Sequence, residues 1–229
     1  MKIISHRGGA KIAPENSIEA IRASKSLGVD AAEIDVQVTK DKQLVVFHDK
    51  NLIRLAAINN EIKNLTLKEL SVIELKNGSK IVSLRELIKE SKDLPLIIEG
   101  KGDGWGEILA HTLRPFGNKD RFKVISFNEI ELNKFNKLSL SVDCYFLTIF
   151  NVKKAFEIVN KYNFKGIDFH FLAFRPSIYK KAQENNIDII LYTLNSKNIA
   201  NLINHYAPNI AITTDRPDKF LYLTKLIAK

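Results

Sequence analysis

The chain has 229 residues, 45% of them hydrophobic, enough for one large α/β barrel or two small domains with a real core. Lysine plus arginine exceed aspartate plus glutamate by 35 to 26, a formal charge of +9. The basic residues are scattered, with no run of five and no basic–aromatic stripe. This argues against a nucleic-acid partner and for a solvated surface that also attracts anionic substrates.

Short β-branched runs alternate with helical patterns from end to end. Lys2–Ser5 reads as a strand and Glu15–Leu27 as a helix with apolar Ile18, Ala20, Ile21, Ala23 and Leu27. Asn16 with Glu19 three positions later resembles a capping box, and Gly28 is a natural stop. Ala32–Val38 and Gln43–His48 alternate about the polar turn Thr39-Lys40-Asp41-Lys42, a hairpin extending the second strand. Asn51–Val82 is the least regular stretch, with a short helix near Leu67–Leu75 and a turn at Asn77-Gly78. Helix Ser83–Ser91 precedes strand Leu94–Glu99, the Gly-rich loop Gly100–Gly106 and helix Glu107–Pro115. Strand Phe122–Ser126 leads to helix Glu129–Leu138, and strand Ser141–Phe146 to helix Val152–Tyr162. Strand Gly166–Phe169 leads to helix Pro176–Asn185, strand Asp188–Thr193 to helix Lys197–Tyr206, and strand Asn209–Thr213 to a closing helix Pro217–Ile227.

With the hairpin counted as an extension, these make eight strand–helix units with no linker, as a single (β/α)8 barrel requires. A doubly wound open sheet allows the same alternation. The polar motifs decide for the barrel, because His6, Glu33 with Asp35, and Glu99 with Lys101 fall at the C-terminal ends of the first three strands. The single cysteine, Cys144, excludes an internal disulfide and reads as a buried thiol in the run Val142–Phe146. No apolar run approaches the roughly 18 residues of a membrane span. Met1–Ser5 leads straight into the first motif without room for a signal peptide, so a cytoplasmic location is expected.

Glu33 and Asp35 lie two apart on a strand and so share a face, the lumen side of a barrel. Two carboxylates about 4 Å apart repel by roughly 4 kcal/mol at an effective dielectric near 20, which a bound cation would relieve. Glu99 brings a third carboxylate to the same rim, and an all-oxygen set suggests Mg²⁺ or Ca²⁺ rather than zinc. The alternative is a set of salt bridges to Arg7, Lys101 or Arg54. His6 and His48, beside these acids, can act as a proton-transfer pair near neutral pH. Arg7 and Lys101 can hold phosphate oxygens, one as a fork and one as a point charge. His170 follows a strand and could line the pocket, whereas His111 and His205 sit in helical patterns away from it. The loop after Glu99 lacks the order of a nucleotide P-loop.

The ordered series His6-Arg7-Gly8, Pro14-Glu15-Asn16-Ser17, Glu33-x-Asp35, Val45-Val46-Phe47-His48-Asp49, Glu99-x-Lys101, Ser126-Phe127, Thr193-Leu194-Asn195 and Thr214-Asp215-Arg216-Pro217 resembles the glycerophosphodiester phosphodiesterases. The resemblance covers the chain from first strand to last helix. It implies a (β/α)8 barrel in one domain, residues 1–229, with a small cap inserted after the second strand near 51–82. It implies metal-dependent cleavage of small-molecule glycerophosphodiesters to glycerol 3-phosphate and an alcohol. Carried over by position, Glu33, Asp35 and Glu99 would hold the cation, His6 and His48 would be the acid–base pair, and Arg7 and Lys101 would bind phosphate. Two positions depart from the pattern: Leu55 follows Arg54 where threonine is usual, and Tyr192 replaces a frequent tryptophan. Competing expectations are a barrel acting on lysophospholipid or by cyclising chemistry, and a phosphate-ligand binding barrel without turnover. Polar head groups are expected to be preferred, because nothing in Asn51–Val82 clearly offers an acyl groove.

Overall fold

The computed structural model describes residues 1–117, 119–139 and 141–224. Its strands are β1 (Lys2–Ser5), β2 (Ala31–Val38), β3 (Leu44–Val46), β4 (Leu96–Gly100), β5 (Phe122–Ser126), β6 (Asp143–Thr148), β7 (Gly166–His170), β8 (Asp188–Tyr192) and β9 (Ala211–Thr214). They form one sheet in the order β1-β9-β8-β7-β6-β5-β4-β2-β3, and β1 also pairs with β2. That last pairing closes the sheet. Only β3 runs antiparallel, so the remaining eight of nine strands make a closed parallel barrel, the (β/α)8 architecture.

Side-chain alternation along each strand divides the interior. Ala32, Ile34 and Val36 of β2 point outward and pack with Ile21, Leu84 and Leu87 beneath the helices. The lumen has an apolar floor of Ile4, Ala31, Ile97, Ile125, Tyr145, Leu147 and Ile190. Above that floor the buried residues turn acidic, with Glu33, Asp35 and Asp168 each at most 3% exposed.

The helices are α1 (Ile18–Leu27), α2 (Ile53–Ala56), α3 (Leu67–Ser71), α4 (Leu84–Ser91), α5 (Trp105–Leu113), α6 (Glu129–Leu138), α7 (Val152–Tyr162), α8 (Pro176–Glu184) and α9 (Lys197–Tyr206). Ser17, not Asn16, caps α1 by accepting from the Ala20 amide, so the expected capping box at Asn16 is corrected. Asn16 adopts a left-handed backbone conformation at φ 55° and sends its amide into the lumen instead. The true capping box is Thr66 with Glu69, at the start of α3.

The insertion after β3 holds α2, α3 and a 3₁₀ turn, Ile62–Asn64, over its own small core of Val45, Phe47, Leu52, Ile62, Leu70, Leu75 and Ile81. The expected helix over Leu67–Leu75 stops at Ser71, where the chain turns to bridge Glu74 with Lys80. The expected closing helix Pro217–Ile227 is instead two 3₁₀ turns, Pro217–Lys219 and Leu221–Leu223. Phe220 and Leu223, three apart and both buried, suit the 3₁₀ repeat. The end of that expected helix, from residue 225, lies outside the described residues.

Gly100 ends β4 directly above the fully buried Trp105, and a Cβ built on it would lie 2.2 Å from the indole. Gly100→Ala should therefore overpack the core between barrel and helices and destabilise the protein by about 1–3 kcal/mol. Thermal unfolding followed by circular dichroism should show a Tm several degrees below the parent, and an unchanged Tm would contradict this packing.

Candidate active site

Parallel pairing of β2 with β4 sets Asp35 beside Glu99, and Glu33 shares their lumen face one pleat below. The three carboxylates each offer an oxygen within 4.8 Å of the others. β1 completes the ring: Ser5 pairs with Ala32 on one side and Thr214 on the other, so His6 enters between Glu33 and Asp215. The β2–β3 hairpin folds back until the Phe47 amide donates to the Asp35 carbonyl, which delivers His48 to the same rim.

Both histidines are braced in the same way. His6 Nδ1 lies 2.6 Å from Asp215 Oδ1, and His48 Nδ1 lies 2.7 Å from Asp49 Oδ1. A carboxylate accepts only, so each Nδ1 carries the proton and each Nε2 is left to exchange one. Asn195 steadies the first pair, its Nδ2 donating to Asp215 Oδ2 at 2.8 Å and its Oδ1 accepting from the Asp215 amide. Arg54 steadies the second: Nε donates to Asp49 Oδ2 at 2.5 Å while Nη1 and Nη2 fork onto Glu15.

Arg7 has φ 51° and ψ 36°, a left-handed conformation that costs a non-glycine residue roughly 1–2 kcal/mol. The turn aims the Arg7 amide at Glu33 Oε2, 2.8 Å away, and lets its carbonyl accept from the Asn16 amide. Gly8 follows, with φ 72° and too little space against Ala20 for a side chain. The Arg7 guanidinium donates to Glu15 at 3.1 Å and lies 3.8 Å from Asp35. Lys101 Nζ donates to Glu99 at 2.7 Å and sits 3.2 Å from Asp35. Asn16 grips Asp35 at two points, Nδ2 donating to Oδ2 at 2.8 Å and Oδ1 accepting from the Asp35 amide at 3.1 Å.

These contacts divide the charge unequally. Burial pushes Glu33 well above the usual carboxylate range, and Asp35 and Glu99 add to the rise. Burial, then Asp35, pushes Glu99 up to about 7. Burial would raise Asp35 as well, but Lys101, His48, Asn16 and Arg7 together hold it below its ordinary value. Burial lowers His48, against the pull of Asp35 and Asp49. Glu33 Oε1 is buried with no hydrogen-bond partner. Three close carboxylates with an orphaned oxygen and an oxygen-only donor set fit a hard divalent cation.

All seven residues singled out in the sequence therefore lie at the C-terminal mouth. The ion pairs of Arg7 and Lys101 to the acidic set are present, whereas Arg54 pairs with Glu15 and Asp49 instead. Sequence reasoning gave Asp49, Asp215 and Asn195 no role and Asn16 only that of a helix cap, although each stands inside a motif it quoted. Asp49 contacts its neighbour His48, whereas the contact of Asp215 with His6 joins residues 209 positions apart that only the closed barrel brings together. Two open grooves meet at Lys101. One, of about 590 Å³, passes His48, Lys40, Lys42, Lys50 and Lys63; the other, of about 500 Å³, runs from Glu99 to Phe127 and Ile130.

The chain is similar to several known proteins. A glycerophosphodiester phosphodiesterase of Caldanaerobacter subterraneus is 26% identical, over 97% of both chains. A human lysophospholipase D is 45% identical over 69 residues, 30% of this chain and 22% of that one. The structure of an Oleispira antarctica phosphodiesterase in complex with sn-glycerol-3-phosphate superposes with a TM-score of 0.90 at 21% identity, over 98% of this chain and 97% of that one. The model of the glycerophosphoryl diester phosphodiesterase family matches residues 6–219, and the chain belongs to that family.

Proposed function

We propose that this chain is a phosphoric diester hydrolase that cleaves glycerophosphodiesters to sn-glycerol 3-phosphate and an alcohol, with Mg²⁺ or Ca²⁺ as its cation. One observation carries the reading. Two histidines, each braced at Nδ1 by an aspartate, flank three converging carboxylates and two cationic side chains at one barrel mouth. A binding barrel has no need of two such dyads.

Glu33, Asp35 and Glu99 would hold the cation, which when bound supplies Lewis-acid polarisation of a phosphate oxygen. Arg7 and Lys101 hold the phosphate. Lys101 donates to Glu99, sits 3.2 Å from Asp35 and keeps a third N–H, and the Arg7 guanidinium lies beside the same Asp35. His48, lowered by burial, is neutral at pH 7 and takes the proton from the attacking hydroxyl at Nε2. His6 delivers a proton from Nε2 to the leaving alkoxide, and the Asp215 carboxylate stabilises the imidazolium it must be to do so. We read the chain as one domain, with 51–82 a cap that Arg54 ties to the rim through Glu15 and Asp49. A cytoplasmic location belongs to the same proposal; no helix among the described residues is long and apolar enough to cross a membrane.

Glycerol 3-phosphate release from glycerophosphocholine and glycerophosphoethanolamine tests the reading, with lysophosphatidylcholine as the competing substrate. Chelator should abolish turnover and Mg²⁺ or Ca²⁺ restore it; full activity in excess chelator would refute the metal site.

The raised Glu99 also makes metal-free stability depend on pH. A carboxylate whose folded pKa is about 7, against 4.5 unfolded, binds its proton more tightly when folded. Its contribution is complete below 4.5 and lost as pH rises through about 7. Chelated protein should thus melt at a lower temperature above that window than below it, and divalent cation should raise the Tm most on the alkaline side. A pH-independent gain on adding metal would show that Glu99 is not among the ligands.

Replacing either histidine with alanine should slow turnover of an alkyl diester by about 10²–10⁴-fold. A p-nitrophenolate leaving group should rescue His6→Ala and not His48→Ala, because that leaving group needs no acid. Equal rescue of both variants would reverse or dissolve the assignment.

A further inference from the structure

The mouth carries a second feature that neither the cation site nor the histidine dyads use. Beyond three consecutive strands large apolar side chains stand in solvent: Phe127 and Ile130 after β5, Ile149 and Phe150 after β6, and Leu172 after β7, beside the half-buried Phe171. Ile130, Ile149, Phe150 and Leu172 are 62%, 51%, 62% and 58% exposed. Aromatic rings join the loops into one wall. Phe127 meets Tyr192 with centroids 6.4 Å apart, and Tyr192 meets His170 at 5.9 Å. His170 in turn meets Phe150 at 5.5 Å and Phe171 at 4.7 Å. Isolated exposed hydrophobes are ordinary on a protein surface, but a connected group on one rim marks an interaction site.

Positive charge lies around this wall. Lys153 and Lys154 stand in the first turn of α7 directly beyond Phe150, exposed and without an ion pair among the described residues. Across the mouth, Lys40, Lys42, Lys50 and Lys63 line the groove beside His48, where Glu61 alone answers both Lys50 and Lys63. We propose that this face docks on an anionic lipid surface, with the loops after β5, β6 and β7 entering the boundary between headgroups and acyl chains and the flanking lysines on anionic headgroups. A bilayer supplies both halves of the match, apolar depth and negative surface potential. A second copy of the chain supplies the wrong charge, since each carries +9 and lysine would face lysine. Docking would hold the active-site mouth against a surface of glycerophosphate-based lipids, and it stands whichever diester is cleaved.

Sedimentation with vesicles tests it directly. The full chain should pellet with vesicles of phosphatidylglycerol and phosphatidylcholine in about equal parts, and not with phosphatidylcholine alone. Raising salt from about 0.1 M to 1 M, which shortens the Debye length from about 10 Å to 3 Å, should weaken the binding. Ile149→Ser combined with Phe150→Ser should lower partitioning by about tenfold or more, as expected when two large apolar side chains leave the interface. Lys153→Glu with Lys154→Glu should lower it as well, which guards against a loop variant that misfolds. Turnover of soluble glycerophosphocholine should be unchanged in both, and is measured separately so that failure of the proposed activity is not mistaken for failure of docking. Absent binding, equal binding to neutral vesicles, or undiminished binding by both variants would overturn the proposal. A dimer that the Ile149/Phe150 variant dissociates would overturn it too, by making a second copy the occupant. So would a gain in lysophosphatidylcholine turnover owed to the wall without vesicle binding, by making it an acyl subsite.

Discussion

Three carboxylates held within 4.8 Å of one another in a barrel lumen are the constraint around which this molecule is arranged. Like charges so placed in a low-dielectric interior repel strongly, and each also loses its hydration. The protein answers with unequal treatment. Asp35 receives Lys101, Arg7 and both ends of the Asn16 amide, and keeps its charge. Glu33 and Glu99 receive less and bind their protons more tightly. A cation that replaced those protons would turn the largest local penalty into a binding site, since the repulsion among the three carboxylates is what it would relieve.

Such a cluster needs a frame that cannot relax away from it. Closure of β1 onto β2 supplies that frame, because a sheet without edges cannot shift one strand by a residue without breaking pairs on both sides. The register that sets Asp35 beside Glu99 also sets Ile34 beside Ile98 in the outer core. A slip would expose those apolar side chains as it dispersed the acids. Packing of the ordinary kind therefore fixes the geometry of the extraordinary residues. At the site, left-handed backbone falls at Arg7, where the amide must reach Glu33, and at Asn16, which grips Asp35.

The period-2 pattern of β2 and the steady return of helical segments made the barrel legible without coordinates. The same pattern put Glu33 and Asp35 on one face, and the strand ends put His6 and Glu99 near them. The supporting groups were not legible in the same way. Asn16 looked like a helix cap because Asx residues so often are. Its left-handed backbone, with Ser17 taking the cap, follows from its contact with Asp35, which lies on another element. Asp215 is joined to His6 only by the pairing of the first strand with the last. The closing helix failed for a related reason: Phe220 and Leu223 are apolar at a spacing that helix and 3₁₀ turn share, and the core beneath them chose the tighter form. Local pattern reports faces and ends, while tertiary closure decides partners.

The departure at Leu55 shows how packing beside a site can hold a side chain that enters it. Arg54 needs its backbone held so that the guanidinium spans Glu15, on the loop before α1, and Asp49, beside His48. Leu55 packs against the small core of Leu52, Ile62 and Leu70, so the insertion itself supplies that hold through buried apolar surface. A threonine hydroxyl at this position would have to find a partner in the same apolar setting or leave it. The electrostatic brace on His48 thus rests on hydrophobic packing in a small core apart from the carboxylate cluster. Through Arg54 the cap becomes part of the brace on His48, since whatever loosens that small core also loosens the aspartate that orients the imidazole.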